Sequence, residues 1–448
     1  MIWGIVLTCV LVALAGLWAA WRRQLNVTSP LAHFLAIYTF MFVVKPLQTV
    51  LSGDWTQLDQ AIGTRDDGFI FLIFLAANLG LAAFVLGYAA GPGRRLAARL
   101  RLPEWPGDTR VMVAVGIATI VLSLLSFVRY HPTPLAPSYQ TSQVGGRFVT
   151  TAYVALFSTE MWGIALLWLT GLRRRLWGWL VAGVFSLLVL YGGWHRWMVF
   201  TLFVGVLITE RLARRLPPIR AWLFTAALAL PTLWVFARLA EDRAYVQRVW
   251  QGEIPWWETG EGRPLIDWSY FGSIEPLGLY LQTIPSVRGF AWGGGYLNAA
   301  LLPIPRQVWR GKRDIFATGQ LLDPAVSPTY MVEHLGRGAT VSMFAEFYGE
   351  FGWIGILVGM SLFGTICRLA YEVAIRHRAN PYVRVLYAAG LSYLVFSVHH
   401  GHFQTLISYA MVAAGVVLCG VVEWWGWYRF GAARAPAHQP QHAQAASG

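Results

Sequence analysis

Runs of about 20 apolar residues, the length a helix needs to cross a bilayer, recur along this chain, and no other feature constrains its fold as tightly. Of its 448 residues, 56% are hydrophobic and only 13% charged. An ordinary soluble domain carries about 25% charged residues. The chain therefore reads as an all-α polytopic membrane protein. Its net charge of +13 could point to nucleic acid. In a membrane protein, however, basic residues mark cytoplasmic loops, and no nucleic-acid partner is expected. Cys9, Cys367 and Cys419 lie in separate apolar runs, without the spacing of a disulfide framework or a zinc site.

Eleven spans are expected, at 2–21, 31–51, 68–90, 111–128, 150–170, 176–191, 197–210, 221–240, 350–371, 383–398 and 403–425. Arginines cluster after every second span: Arg22 and Arg23, then Arg94, Arg95 and Arg99, then Arg173 to Arg175, then Arg211, Arg214 and Arg215, then Arg376 and Arg378. By the positive-inside rule this alternation puts the N-terminus outside and the C-terminus in the cytoplasm. The chain then divides into a bundle of about eight helices (1–240), a long periplasmic loop (241–349), about three further helices (350–430) and a disordered cytoplasmic tail (431–448). The first span has no basic residues ahead of it and reads as a retained helix, not a cleaved leader. Trp250, Trp256, Trp257, Trp268, Tyr280, Trp292 and Trp309 give the long loop too much apolar surface for a linker. Short amphipathic helices on the outer face of the bundle are expected there.

That loop holds the densest cationic cluster: Arg306, Arg310, Lys312 and Arg313 follow Pro303-Ile-Pro305. Arginine presents a planar fork of donors to phosphate oxygens. The prolines fix the backbone ahead of Arg306, and Gly293 to Gly295 permit close backbone approach. The plainer alternative is a surface loop touching anionic headgroups. Glu346 and Glu350 stand four residues apart, on one helix face. They are either a solvated helix start, where acids favour the positive dipole end, or a general base within reach of an acceptor hydroxyl. Asp267, Glu275 and Glu333 are equally open as that base. Glu160 and Lys45 fall inside spans, as structural ion pairs or as cavity lining. Arg129, Arg196 and Arg238 sit at outer helix ends. His399-His400-Gly401-His402 has no Cys or acid beside it, and fits a phosphate contact or a pH-sensitive hydrogen bond better than a metal site.

Gly293-x-x-Tyr296-Leu297, followed by Ile304-Pro305-Arg306-x-x-Trp309-x-x-Lys312, resembles the motif of Wzy-type O-antigen and exopolysaccharide repeat-unit polymerases. Arg313 stands where that family usually has Pro. Ala345-Glu346-Phe347-Tyr348-Gly349-Glu350-Phe351-Gly352-Trp353-Ile354-Gly355 is similar to the family's Glu–aromatic–F-G-x-x-G segment, and Gly192-Gly-Trp-His-Arg196 to its small-small-Arg turn. The resemblance implies a GT-C-like bundle in the bacterial inner membrane. Its substrate would be an oligosaccharide on undecaprenyl pyrophosphate, with lipid pyrophosphate as leaving group and no cofactor or metal. Arg306, Glu346 and Glu350 would be catalytic. Arg196, Arg306, Arg310, Lys312, His334, Arg337 and His400 would bind the pyrophosphate. Membrane lipids, a chain-length regulator and other export-pathway proteins would be partners. Two alternatives stand beside it: an O-antigen ligase of the same class, and a lipid-linked glycan transporter. Ligases tend to carry a His ahead of their Glu-containing turn, where this chain has Thr340-Val-Ser342. A transporter would be expected to show internal repeats.

Overall fold

The computed structural model describes residues 1–55, 58–59, 62–102, 274–286, 289–300 and 341–426, with scattered positions between 114 and 253. Among these residues every regular element is a helix. In chain order they are α1 (Ile2–Trp21), α2 (Pro30–Thr39), a π-helical turn (Phe40–Val44), α3 (Lys45–Ser52), α4 (Asp67–Ala89), α5 (Pro92–Arg99), α6 (Ile274–Thr283), α7 (Gly294–Ala300), α8 (Met343–Arg376), α9 (Pro381–His400) and α10 (His402–Gly426). Four stretches, Ile2–Trp21, Pro30–Ser52, Asp67–Arg99 and Met343–Arg376, are long and apolar enough to cross a membrane. This is a helical membrane protein.

Local chemistry sets the helix ends. Asp66 caps α4 by accepting the Phe69 N–H at 2.8 Å. Asn380 caps α9 by accepting from Tyr382 at 2.9 Å, with Pro381 in the first turn, where a missing N–H costs nothing. Within the second span, Pro46 has no N–H to return to the preceding turn. The helix widens to π geometry just before it.

The two ends of the bundle differ. At one, the Met1 ammonium pairs with Asp67 at 3.0 Å. At the other, Tyr88 donates to Gln24 at 3.2 Å, Asn26 to Tyr371 at 3.4 Å, and Tyr387 to the Thr28 carbonyl. Buried Arg368 lies there too, 2.6 Å from Glu372 and over the rings of Tyr88 and Tyr371. Arg22, Arg23, Arg94, Arg95, Arg99 and Arg376 follow or lie in the helices at this second end. Between the ends, Tyr38 donates to Asn78 at 3.1 Å and Asn78 to Thr8 at 3.0 Å, tying α1, α2 and α4 where lipid offers no partners.

α4 and α8 pack backbone to backbone. A Cβ on Gly87 would lie 1.9 Å from the Ser361 carbonyl, and one on Gly364 would lie 2.2 Å from that of Phe84. Ser361 and Thr365 donate across the seam to the carbonyls of Ala83 (3.2 Å) and Gly87 (3.1 Å). Small residues joined by hydroxyl bonds are how helices associate where no water is squeezed out. Gly80 meets Ile356, Gly87 meets Ser361 and Gly93 meets Thr365, so this part of α8 runs parallel to α4.

α8 is not one rod. Phe351 (φ −141°, ψ 18°) and Gly352 (φ 63°, ψ −146°) break it. Residues eight apart in a continuous helix are separated by about 12 Å along the axis. Yet a Cβ on Gly355 would lie 2.0 Å from the Phe347 carbonyl oxygen, and one on Gly359 would lie 2.5 Å from the Phe347 ring. The chain therefore folds back: Met343–Glu350 is a short re-entrant helix lying against the helix that begins at Trp353. Met343, Phe344 and Ala345 are fully buried, and Phe344 packs edge-on against Tyr38 and Phe42. Its hairpin tip points toward the end that holds Met1 and Asp67.

Two boundaries differ from the sequence reading. Residues 343–349, expected as the end of the outer loop, are helical and inside the bundle. α6, expected to lie flat on the outer face, is buried from Ile274 through Tyr280. Gly278 sits against Ile73, and Gly349 against the Tyr280 ring. Apolar side chains on most of its positions leave this helix no polar face to float on.

Candidate active site

Glu350 ends the re-entrant helix, and its carboxylate is spent on backbone. One oxygen accepts the Gly293 N–H at 2.8 Å and the other accepts the Gly295 N–H at 3.0 Å. These groups open α7, where free N–H groups and the helix dipole favour an anion. The favour is returned: Ala291 and Trp292 donate to the carbonyls of Gly349 (2.9 Å) and Glu350 (3.0 Å), which have no partners within their own helix. Gly293 stands at φ 86°, a conformation that needs glycine. Four hydrogen bonds thus strap residues 291–295 to the hairpin tip. The strap is covered by aromatics, with Trp292 edge-on to Phe351 at 6.2 Å and Tyr296 stacked on it at 6.5 Å.

Glu346 lies one turn deeper, in the first turn of α8. It is 3% exposed and Glu350 is 2% exposed. The solvated helix start considered for this pair does not describe it: the chain's reversal at Phe351–Gly352 wraps both acids in protein. Beside Glu346 runs the turn between α9 and α10. Gly401 has φ 88° and ψ 155°, a region open to little but glycine. A Cβ there would meet the Glu346 carboxylate oxygen at 2.1 Å. Gly401→Ala is therefore expected to cost about 1–3 kcal/mol through backbone strain and to push the Glu346 carboxylate aside. Thermal unfolding in detergent would register the first effect, and loss of function at near-normal yield the second.

Tyr296 follows in the first turn of α7. Burial first, and then the Glu346 and Glu350 charges, push its phenol far above the usual tyrosine range, so it stays protonated. Tyr296 also lines a cavity of about 710 Å³. With Trp292 and Phe351 it forms one end, from which an apolar trough follows Val358, Leu362 and Ile366 of α8 to Cys367. α9 supplies the facing wall through Leu391 and Leu394. Ile354, Val358 and Leu362 are more than half exposed, so the trough opens sideways, as toward lipid.

Glu275 forms a second polar spot. It is buried on α6, and one carboxylate oxygen has no hydrogen-bond partner. Burial raises it above the usual carboxylate range, offset in part by its own backbone N–H and by the charge of Lys45. Lys45 thus faces an acid of the long loop. A raised pKa means the folded state holds this proton more tightly than the unfolded one. Its contribution to stability is present at low pH and is lost as pH rises through the folded pKa. Glu275→Gln is expected to flatten that decline in melting temperature with rising pH, which begins at the ordinary carboxylate range; an unchanged slope would contradict it.

The structure thus brings together Glu346, Glu350 and the glycines of the Gly293 run. His400 is the last residue of α9, one position from the Gly401 contact. Arg196, Arg306, Arg310, Lys312, His334 and Arg337 lie outside the described residues, as do Arg129, Glu160, Arg238, Asp267 and Glu333. Tyr296 and Gly401 were not singled out as site residues. Their one signal was membership in motifs noted for other residues. Among the described residues no three His, Cys, Asp or Glu side chains converge as for a metal ion, and the three cysteines are free thiols. The chain matches no family model, no curated protein and no solved structure.

Proposed function

We propose that this protein is a membrane glycosyltransferase that joins lipid-pyrophosphate-linked oligosaccharide repeat units into a polysaccharide at the outer face of a bacterial inner membrane. One observation carries the reading. The Gly293-x-x-Tyr296 segment and the Glu346-to-Gly355 segment, which separately resemble the polymerase motifs, are bonded to each other through Glu350 at the mouth of an apolar trough. A lipid-linked donor needs these features side by side: a trough for hydrocarbon and polar groups at its outer end.

In this reading Glu346 is the general base for the acceptor hydroxyl, and Glu350 holds the Gly293 strap beside it through the two backbone N–H groups it accepts. Arg306, Arg310 and Lys312, with Arg196, His334, Arg337 and His400, form the pyrophosphate clamp. Preorganised cations of this kind stabilise charge developing on a departing oxyanion. Each charge-assisted bond contributes roughly 1.5–3 kcal/mol, so a clamp needs several. A chain-length regulator and export proteins would be its partners.

The test is a deletion strain complemented with wild type or with Arg306→Ala, its surface glycan run on a gel. Caps of a single repeat in the deletion strain and ladders after wild-type complementation support a polymerase. Long chains left on the carrier lipid would indicate a ligase instead. Normal ladders from well-expressed Arg306→Ala would remove Arg306 from the clamp.

A further inference from the structure

We infer that α5 is a binding surface for anionic phospholipid, with its leucines at the hydrocarbon edge and its arginines on headgroup phosphates. The inference goes beyond the reaction proposed above and does not depend on it. α5 follows the α4 span directly, after a turn at Gly91 (φ 92°). One side of it is committed to protein. Ala97 is fully buried, and a Cβ on Gly93 would lie 2.6 Å from the Thr365 carbonyl and 2.8 Å from the Leu369 nitrogen. The other sides are open. Leu96 and Leu100 are 48% and 46% exposed, and Arg95, Arg99 and Arg101 are exposed with them.

Two features set this helix apart from a solvated charge run. The first is depth. α5 meets α8 between Thr365 and Glu372. Counted at 1.5 Å per residue from the start of that helix arm at Trp353, these contacts fall about 18 to 29 Å along its axis. α5 therefore sits at the far edge of a hydrocarbon core about 30 Å thick. The second is sidedness. Residues four apart share a helix face, so Leu96 and Leu100 occupy one and Arg95 and Arg99 another. Leucine beside arginine on a helix suits the boundary between acyl chains and headgroups. Water gives the leucines no reason to be exposed at this depth.

Charge selects the lipid. Arg94 shares Glu372 with Arg368, at 3.6 and 2.6 Å. Among the described residues no acid pairs with Arg95, Arg99 or Arg101. Guanidinium groups match phosphate oxygens, and a basic cluster next to a membrane span attracts anionic lipid. A zwitterionic headgroup brings its own ammonium to the same place and gains less. Each arginine near such a surface contributes about fivefold in affinity. Three together give a preference for anionic lipid on the order of 100-fold.

The experiment reads α5 locally in the full chain. Cys9→Ser removes the exposed thiol, Cys367 and Cys419 being buried, and Leu100→Cys takes a bimane label. In liposomes, quenching of the bimane by dibrominated phosphatidylglycerol is compared with quenching by dibrominated phosphatidylcholine. Association should favour phosphatidylglycerol on the order of 100-fold, and by less than about threefold once Arg95→Gln, Arg99→Gln and Arg101→Gln are combined. Lysine at the same three positions keeps the charge and should keep most of the preference. Raised salt should weaken it. Equal quenching by the two lipids with all three arginines present would overturn the inference, as would a preference that survives the three glutamines. Quenching by neither lipid would mean that protein covers α5, and would overturn it too. Should the glutamine variant fail to insert, the salt titration decides: a preference that salt leaves unchanged overturns the inference.

Discussion

Replacing Gly355 with leucine is expected to leave no folded protein in the membrane. A first carbon at that position would lie 2.0 Å from the Phe347 carbonyl oxygen and 3.1 Å from the Phe351 Cβ. Both belong to backbone or to atoms fixed at the hairpin turn, so neither can swing aside. Ordinary overpacking costs about 1–3 kcal/mol; here the two arms of the hairpin would have to separate. That would unseat Phe344 from its place against Tyr38 and Phe42. Ile354→Leu is the control, because Ile354 is 70% exposed on the trough side. Yield of monodisperse protein in detergent, with its melting temperature, decides the matter. A Gly355→Leu protein that melts like wild type would mean that the arms do not touch.

The second large effect is expected from Glu350→Ala. Its carboxylate holds two backbone N–H groups, and each such charge-assisted bond contributes roughly 1.5–3 kcal/mol. Without it, Gly293 and Gly295 lose their acceptor, and among the described residues the strap keeps two bonds to the hairpin, at the Gly349 and Glu350 carbonyls. This stretch leads directly to the Pro303-Ile-Pro-Arg306 cluster, so function should fall with it. Limited proteolysis should cut Glu350→Ala between residues 286 and 300, where wild type resists. Glu346→Gln separates the two acids: function should be lost while the strap stays protected. Equal protection in Glu350→Ala and wild type would deny Glu350 its anchoring role.

Six of the eleven expected spans fall on described residues; those at 111–128, 150–170, 176–191, 197–210 and 221–240 lie outside them but for scattered positions. The first three expected spans correspond to Ile2–Trp21, Pro30–Ser52 and Asp67–Ala89, and the last two to α9 and α10, because span length is a property of composition alone. Arg22, Arg23, Arg94, Arg95, Arg99 and Arg376 also lie at one end of the described helices, while Arg65 lies at the other among acids. The reversal at Phe351–Gly352 was not legible. Hydropathy records how apolar a stretch is and not which way it runs, so a buried re-entrant helix followed by a span reads as a loop joined to a helix. The π turn before Pro46 was hidden for a similar reason, since a widened turn keeps its apolar content.

The candidate site was half legible. Glu346 and Glu350 could be placed on one helix face from their spacing, but their environments could not. Glu350 finds its partners 57 and 55 residues away, at Gly293 and Gly295. No local pattern reports a contact of that kind. Tyr296 and Gly401 gain their meaning only from what they are packed against. From the sequence, Lys45 is either half of a structural ion pair or cavity lining; Glu275, on a helix folded in from the long loop, is an acid whose titration its charge affects.

The most direct measurement of the proposed function needs only the pure protein in liposomes and the lipid-linked repeat unit. Carriers bearing two, three and more repeats should accumulate, with one lipid pyrophosphate freed for each new linkage. Recovery of the repeat unit intact, on either side of the bilayer, would contradict a glycosyl transfer at the Glu346–Glu350 hairpin.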